Sequence, residues 1–413
     1  MKEIIAREDA EPEEVLPEVI ADTRPVVRHV PLPEQVKAIY MSSCVAGTPS
    51  FRSSLVRLIN ETELNAVVLD IKDYSGTISF NPGEGPWHAA WMAAECGALD
   101  MRAFIEMLHD NNIFVIGRIT VFQDLFYTKV RPDLAVKRAD GVTVWQDHKG
   151  LSFIDVGARE YWGHVVELSR LSYNIGFDEL NYDYVRYPSD GNMADTAYTH
   201  SATGTKQENL ETFFAYLHEA VGQPERYAEF RHENTGRATA TPWTSADLFG
   251  MTTTNTDDLS IGQVQERAAP YFDFIAPMVY PSHYPGSFLG LGNPNLYPYK
   301  IVHYAMSEGV KRMESDTTTV EGFMHARIGT STPAVYRKPV YTADKFRTWI
   351  QDFDYGGDYD AADVRAQIQA SYDAGVMSWM IWAPSNRYTR EALHGPEGAA
   401  STTEPAVVDE YIR

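Results

Sequence analysis

The sequence predicts an α/β fold, a (β/α)8 barrel with elaborated loops on its C-terminal face. Short β-rich runs alternate with longer amphipathic stretches, the pattern of parallel strands joined by crossover helices. The β-rich runs number eight. Several amphipathic stretches end in Gly or Asn just before the next run, as helix C-caps often do.

Taken in order, residues 1–36 are rich in Glu and Pro, show no apolar period, and read as an extended acidic linker. The first strand is "VKAIYMSS", followed by the helix "SFRSSLVRLINET". The second, "NAVVLDIKDY", leads through residues 81–97 to "ALDMRAFIEMLHDNN". The third, "IFVIGRITVF", leads through 121–156 to "GAREYWGHVVELSRLSYNIG". The fourth is "FDELNYDYV", with a long connection at 188–205, and another connection at 222–236 precedes the fifth, "TATPWTSADLFG". The sixth, "FDFIAPMVY", is followed by connections at 281–297 and 314–342. The seventh, "FRTWIQDFD", the helix "AADVRAQIQASYDAG" and the eighth strand, "GVMSWMIWAP", complete a barrel expected over 37–395, with 396–413 as a solvated tail. All the long connections except 222–236 and 314–342 directly follow a strand, which in a barrel places them where active sites are built. An open doubly wound sheet shares the alternation. No G-x-G-x-x-G or G-x-x-x-x-G-K-[ST] turn follows the first strand, so the nucleotide-binding versions lose support.

Composition narrows the partners. The net charge of −22 gives a field that repels phosphate backbones and anionic lipid, so nucleic acid is a poor partner. No stretch approaches the ~18–20 continuous apolar residues of a membrane span. The N-terminus has no long apolar run after its basic residue and does not read as a signal peptide. Cys44 and Cys96 read as two isolated buried thiols rather than a bridge, although an oxidising compartment would let them pair.

The strands carry charge where a core should be apolar. Alternate side chains point the same way, so Asp70 and Lys72 share a direction on the second strand. Arg118 points with Ile116 and Thr120 on the third; Glu179, Asn181 and Asp183 align on the fourth, opposite Leu180 and Tyr182. If the polar set faces the axis, Asp70, Glu179 and Asp183 meet Lys72 and Arg118 in a nearly balanced cluster, the condition under which buried charge is tolerable. Later strands add Asp247, Tyr280, His283, Gln351, Asp352, Asp354 and Trp382. A single strand-terminal Asp is commonly a helix cap. Polar or ionisable residues at the same end of seven of eight strands ask for another explanation.

The 12 histidines form no H-x-H or H-E-x-x-H, no G-x-S-x-G elbow is present, and "DYGGDYDAADV" lacks the full calcium-loop pattern. No metal or cofactor is therefore expected. Several carboxylates remain, equipment for a nucleophile and a general acid acting on a glycosidic bond. Tyr74, Trp87, Trp243, Tyr280 and Trp382 are candidates for stacking on sugar rings, or for plain packing. A barrel that holds glycan without cutting it would use the same groups as hydrogen-bonding ligands.

"NAVVLDIKDYSGTISF", "RPDLAVK", "GLSFIDVGAREYW", "GFDELNYDYVRYPSDG", "SADLFG", "IAPMVYPSHYPGSFLG" and "WIQDFDYGG" together resemble a bacterial family of putative glycosyl hydrolases, formerly labelled a domain of unknown function and regarded as glycosidase-type TIM barrels. The likeness covers about residues 37–395. It implies a carbohydrate substrate and a location outside the cytoplasm. "NYDYVRYP" is similar to the fourth-strand segment of amylase-like and galactosidase-like barrels, which implies Asp183 as nucleophile of a retaining hydrolase. In amylase-type enzymes a Glu after the fifth strand is the general acid; this chain has Asp247 there, with Asp352 on the seventh strand as second candidate. Arg186 or Arg118 would keep Asp183 ionised. Asp70, Lys72, Arg118, Asn181, Arg186, Tyr280, His283, Gln351 and Trp382 would contact the sugar.

Overall fold

The computed structural model describes residues 22–396. Eight parallel strands close into a ring in chain order: β1 (Lys37–Met41), β2 (Ala66–Lys72), β3 (Phe114–Thr120), β4 (Glu179–Asp183), β5 (Trp243–Phe249), β6 (Phe274–Met278), β7 (Thr348–Gln351) and β8 (Trp379–Trp382). Each of the eight sequence runs contributes one of them. Helices α1 (Pro49–Asn60), α2 (Met101–Asp110), α3 (Arg159–Asn174), α4 (Lys206–Val221), α5 (Pro298–Glu314) and α6 (Ala361–Asp373) surround the ring, with only short helical turns between β5 and β6. The result is a (β/α)8 barrel.

Local chemistry sets the element ends. Thr205 and Glu208 form a reciprocal capping box at the start of α4, and Asp360 with Asp363 forms one at α6, so the acidic "DYDAAD" stretch is a helix start. After α2 and α3 the chain reverses through Asn112 (φ 56°) and Gly176 (φ 119°), and after α6 through Gly375 (φ 86°).

Strand alternation divides the apolar residues into two cores. Val67, Leu69, Ile71, Leu180 and Tyr182 face outward and pack with the helices. Ala38, Ala66, Val68, Ile116, Ala276 and Met380 fill the lower interior of the ring. Tyr40, Tyr280 and Trp349 belong to the same inner cluster, and Tyr280 and Trp349 carry it up to the cavity, where polar groups join them.

Two expectations are corrected. The linker reading fails for the last third of residues 1–36; residues 1–21 lie outside the described residues, as do 397–413. Val26–Arg28 forms a strand parallel to Arg231–Glu233, within the 222–236 connection, and Val30 and Val36 join the inner core. Asp178, just ahead of β4, ties this segment down. It accepts from the Val30 and Val115 amides at 3.0 and 2.8 Å and contacts His29 and His109 at 3.0 Å each. Burial would raise its pKa, but the two histidines hold it below the usual carboxylate range. Cys44 and Cys96 are disulfide-bonded, not isolated thiols. The loops after β1 and β2 are neighbours on the C-terminal face, so a separation of 52 residues hides a Cα–Cα distance of 4.6 Å.

Candidate active site

β4 projects Glu179, Asn181 and Asp183 into the barrel, one above another. Glu179 lies deepest, fully buried in an ion pair with Arg347 and accepting from Ser245 Oγ at 2.6 Å. Asn181 donates to Ser245 Oγ at 3.0 Å and to Asp247 Oδ1 at 2.9 Å. The lower pair is thereby wired to the upper carboxylates through neutral groups.

Asp183 ends the strand, and the chain then turns through Tyr184 at φ 50°, a left-handed conformation that a tyrosine adopts at some cost. That turn lets the Tyr184 amide donate to Asp183 Oδ1 at 2.6 Å. Arg118 donates to Oδ2 from Nε at 3.0 Å and Nη2 at 2.5 Å, while its Nη1 reaches Asp70 Oδ1 at 2.7 Å. One guanidinium thus braces two carboxylates, and Tyr40 donates to the far oxygen of Asp70. Burial raises Asp70 to about 6 against the opposing pull of Arg118 and Tyr40.

Asp247 sits differently. Its Oδ1 accepts from Asn181 and, at 2.8 Å, from Trp349 Nε1. No cation pairs with it among the described residues. Burial first, and then the charge of Asp183, push its carboxyl well above the usual range. Asp183 and Asp247 open on one cavity of about 320 Å³, walled by Tyr184, Arg186, Phe249, Met278, Tyr280, Trp349 and Trp382. Lys149, Asp190 and His283 stand at its mouth, and all three, with Trp382, also line an outer cleft of about 560 Å³. These come from the connections 121–156, 188–205 and 281–297, on the expected face.

Of the residues singled out in the sequence, Asp183, Asp247, Arg118, Arg186, Tyr280, His283 and Trp382 line this cavity. Asn181 and Asp70 support it from behind. Four readings need correction. Lys72 does not share Asp70's direction, because the pairing of β2 with β3 slips by one residue between them. It turns outward to Asp124 at 3.0 Å and is 1% exposed. Asp352 follows the inward Gln351 and so points away; its oxygens accept from Thr389 N at 2.8 Å and Oγ1 at 2.7 Å. Gln351 binds the loops at Ser282 and Phe353 rather than the cavity. Arg186 forms no ion pair with Asp183; among the described residues Arg118 alone does.

Among the aromatics, Trp87 is buried against His164, Trp243 begins β5 at the opposite end of the barrel, and Tyr74 is exposed away from the cavity. Sequence reasoning missed Tyr40, Trp349, Arg347 and Lys149. Tyr40 and Trp349 share the inward phase of β1 and β7, and Arg347 keeps that phase one residue ahead of β7, so period-two reading carried the signal. Lys149 carried none.

A family model described as "Putative glycosyl hydrolase domain" matches residues 38–388. The glycoside hydrolase domain of PgaB (BpsB) from Bordetella bronchiseptica is similar at 11% identity with a TM-score of 0.56, over 88% of this chain and 99% of that one. Alpha-L-fucosidase isoenzyme 2 from Paenibacillus thiaminolyticus aligns at 11% identity with a TM-score of 0.51, over 87% of this chain and 47% of that one. A hypothetical protein from Ruminiclostridium thermocellum ATCC 27405 is 28% identical over 48% of this chain and 98% of that one, with a TM-score of 0.39. The first two likenesses speak for the barrel fold. A search of curated proteins finds no match. No helix among the described residues is long and apolar enough to cross a membrane.

Proposed function

The chain belongs to the family described as putative glycosyl hydrolase domain, and from that premise we propose that it is a retaining glycoside hydrolase with Asp183 as nucleophile and Asp247 as general acid. The observation that carries this reading is the contrast between two carboxyls on one cavity. Asp183 is gripped by Arg118, while Asp247 forms no ion pair among the described residues and is pushed upward in pKa by burial and then by the charge of Asp183. Such a split is what acid and nucleophile roles require of two like side chains.

In the first step an Asp183 oxygen attacks the anomeric carbon as the glycosidic C–O bond breaks, and Asp247 gives its proton to the departing oxygen. In the second, Asp247, now ionised, takes a proton from water. That water attacks the same carbon, expelling Asp183 and restoring both groups. The preference of Asp247 for its protonated form supports the first step, and the Arg118 ion pair supports a carboxylate leaving group in the second. Trp382, stacked on Tyr40 with ring centroids 4.1 Å apart, offers an immobilised aromatic wall for a sugar ring. The disulfide is consistent with an oxidising location outside the cytoplasm.

The test is a digest screen over oligo- and polysaccharides with wild type and Asp183→Asn, followed by NMR of the first-formed anomer. Cleavage with retained configuration, lost in the folded variant, is expected. Inverted product would reject the nucleophile role, and full activity in the variant would reject Asp183 altogether. Selective glycan binding without cleavage would leave a binding barrel as the reading.

A further inference from the structure

We propose that the glycan held in this cavity carries an anionic group on the sugar nearest the catalytic pair or on its neighbour, and that Arg186 and Lys149 bind that group. This rests on the glycosidase reading and adds the substrate class: an acidic sugar, with its charge on a carboxylate or sulfate.

Arg186 is the stronger half of the case. It is 7% exposed and lines the cavity, yet no carboxylate lies within ion-pair distance of it among the described residues. Its Nη1 donates to the Tyr187 carbonyl at 3.0 Å and to Ser189 Oγ at 3.1 Å, both neutral acceptors. Its guanidinium lies against the rings of Tyr184 at 4.5 Å and Phe249 at 4.9 Å, which hold it in place without neutralising it. Other buried arginines here are matched to acids: Arg118 to Asp70 and Asp183, Arg267 to Glu211, Arg347 to Glu179. A buried cation left without such a partner is costly unless something arrives to pair with it. Burial lowers its pKa, and the charges of Asp183 and Asp190, too far off to form ion pairs, offset that only in part.

Lys149 is the second, independent element. It stands where the inner cavity meets the outer cleft, and no carboxylate pairs with its ammonium within the described residues. Asp190 shares that rim but forms an ion pair with neither cation. Two unmatched cations on one cavity are notable in a chain of net charge −22. The same net charge repels a dense polyanion at long range, so the fit is to a glycan with isolated acidic residues, whose charge is felt only within about 8 Å at physiological salt.

The experiment uses oligosaccharides bearing a single uronic acid or sulfate, each beside its carboxyl-reduced or desulfated counterpart. Cleavage is followed by reducing-end release with the wild-type chain, and binding by calorimetry with Asp183→Asn. We expect the acidic member of a pair to be favoured about tenfold or more in kcat/KM or Kd, the scale of one charge-assisted hydrogen bond. Lys149→Gln, an exposed change safe for folding, and Arg186→Met should each shrink that ratio severalfold, through KM rather than kcat. Equal handling of charged and neutral members overturns the inference and leaves the hydrolase reading standing, as does a ratio unmoved in the Lys149 variant. Selective binding of acidic members with no cleavage supports the inference while the hydrolase reading falls. Failure to bind or cleave any acidic member overturns it.

Discussion

Replacing Trp349 with Phe removes the indole donor from Asp247 while keeping an aromatic ring in the barrel. The lost bond is 2.8 Å long and fully buried, and it favours the charged carboxylate. Hydrogen bonds to charged groups are worth about 1.5–3 kcal/mol. At about 1.4 kcal/mol per pH unit, their loss raises the Asp247 pKa by about 1 to 2. Asn181 still donates to the same oxygen, so the lower figure is the safer expectation. A general acid works only while protonated, and activity falls on the alkaline side as pH climbs through its pKa. The Trp349→Phe enzyme should therefore hold kcat/KM to a higher pH, its alkaline limb displaced upward by about 1 to 2 units. The acid limb should move far less. The assay is the pH profile of kcat/KM on whichever glycan the screen yields, with circular dichroism to verify folding. The ring shrinks by less than a truncation to Ala, which would cost about 3–5 kcal/mol. An alkaline limb that stays put, or moves down, would refute Asp247 as the acid.

Arg118→Met strips the shared cation from Asp70 and Asp183 and should cost about 3–5 kcal/mol in urea denaturation along with nearly all activity. Asp178→Asn unsettles four contacts under the barrel and should cost about 2–4 kcal/mol, with the Val30 amide losing protection in hydrogen exchange. Because the pKa of Asp178 is depressed in the fold, its contribution should be complete above the unfolded carboxylate pKa and drain away as pH falls through the lower folded value; the variant should lack that acid sensitivity in denaturation series. Cys44→Ala with Cys96→Ala opens a bridge spanning 52 residues, worth up to about 4 kcal/mol on a chain-entropy account. The Tm should drop in the double variant and in reduced wild type, but not further when the variant is reduced.

The barrel was readable because each of its eight strands has its own dense apolar run, and because closure in chain order needs no long-range information. Alternation along β4 was equally readable: Leu180 and Tyr182 face the helices, and Asn181 and Asp183 do not. The same alternation puts Tyr40 and Trp349 inward, each two residues from another inward position. Lys72 escaped because a one-residue slip in pairing reverses every later side chain, and nothing in "DIKDY" announces it. Asp352 follows Gln351, which holds the inward phase of β7, and alternation turns it away from the cavity. Residues 26–36 show no local period because their structure rests on a three-residue pairing with a distant segment. The disulfide depended on which loops become neighbours, and Lys149 on where a long loop returns.

Val30 and Val36 seal the floor of the ring from below, and His394 exchanges backbone and side-chain hydrogen bonds with Glu63 at its flank. The stretch that the family model matches, 38–388, excludes all three residues. A protein trimmed to those limits would bare the underside of the cylinder and strand Asp178 without its His29 contact. Fragments for crystallisation or domain grafting should start no later than Val26 and run through His394.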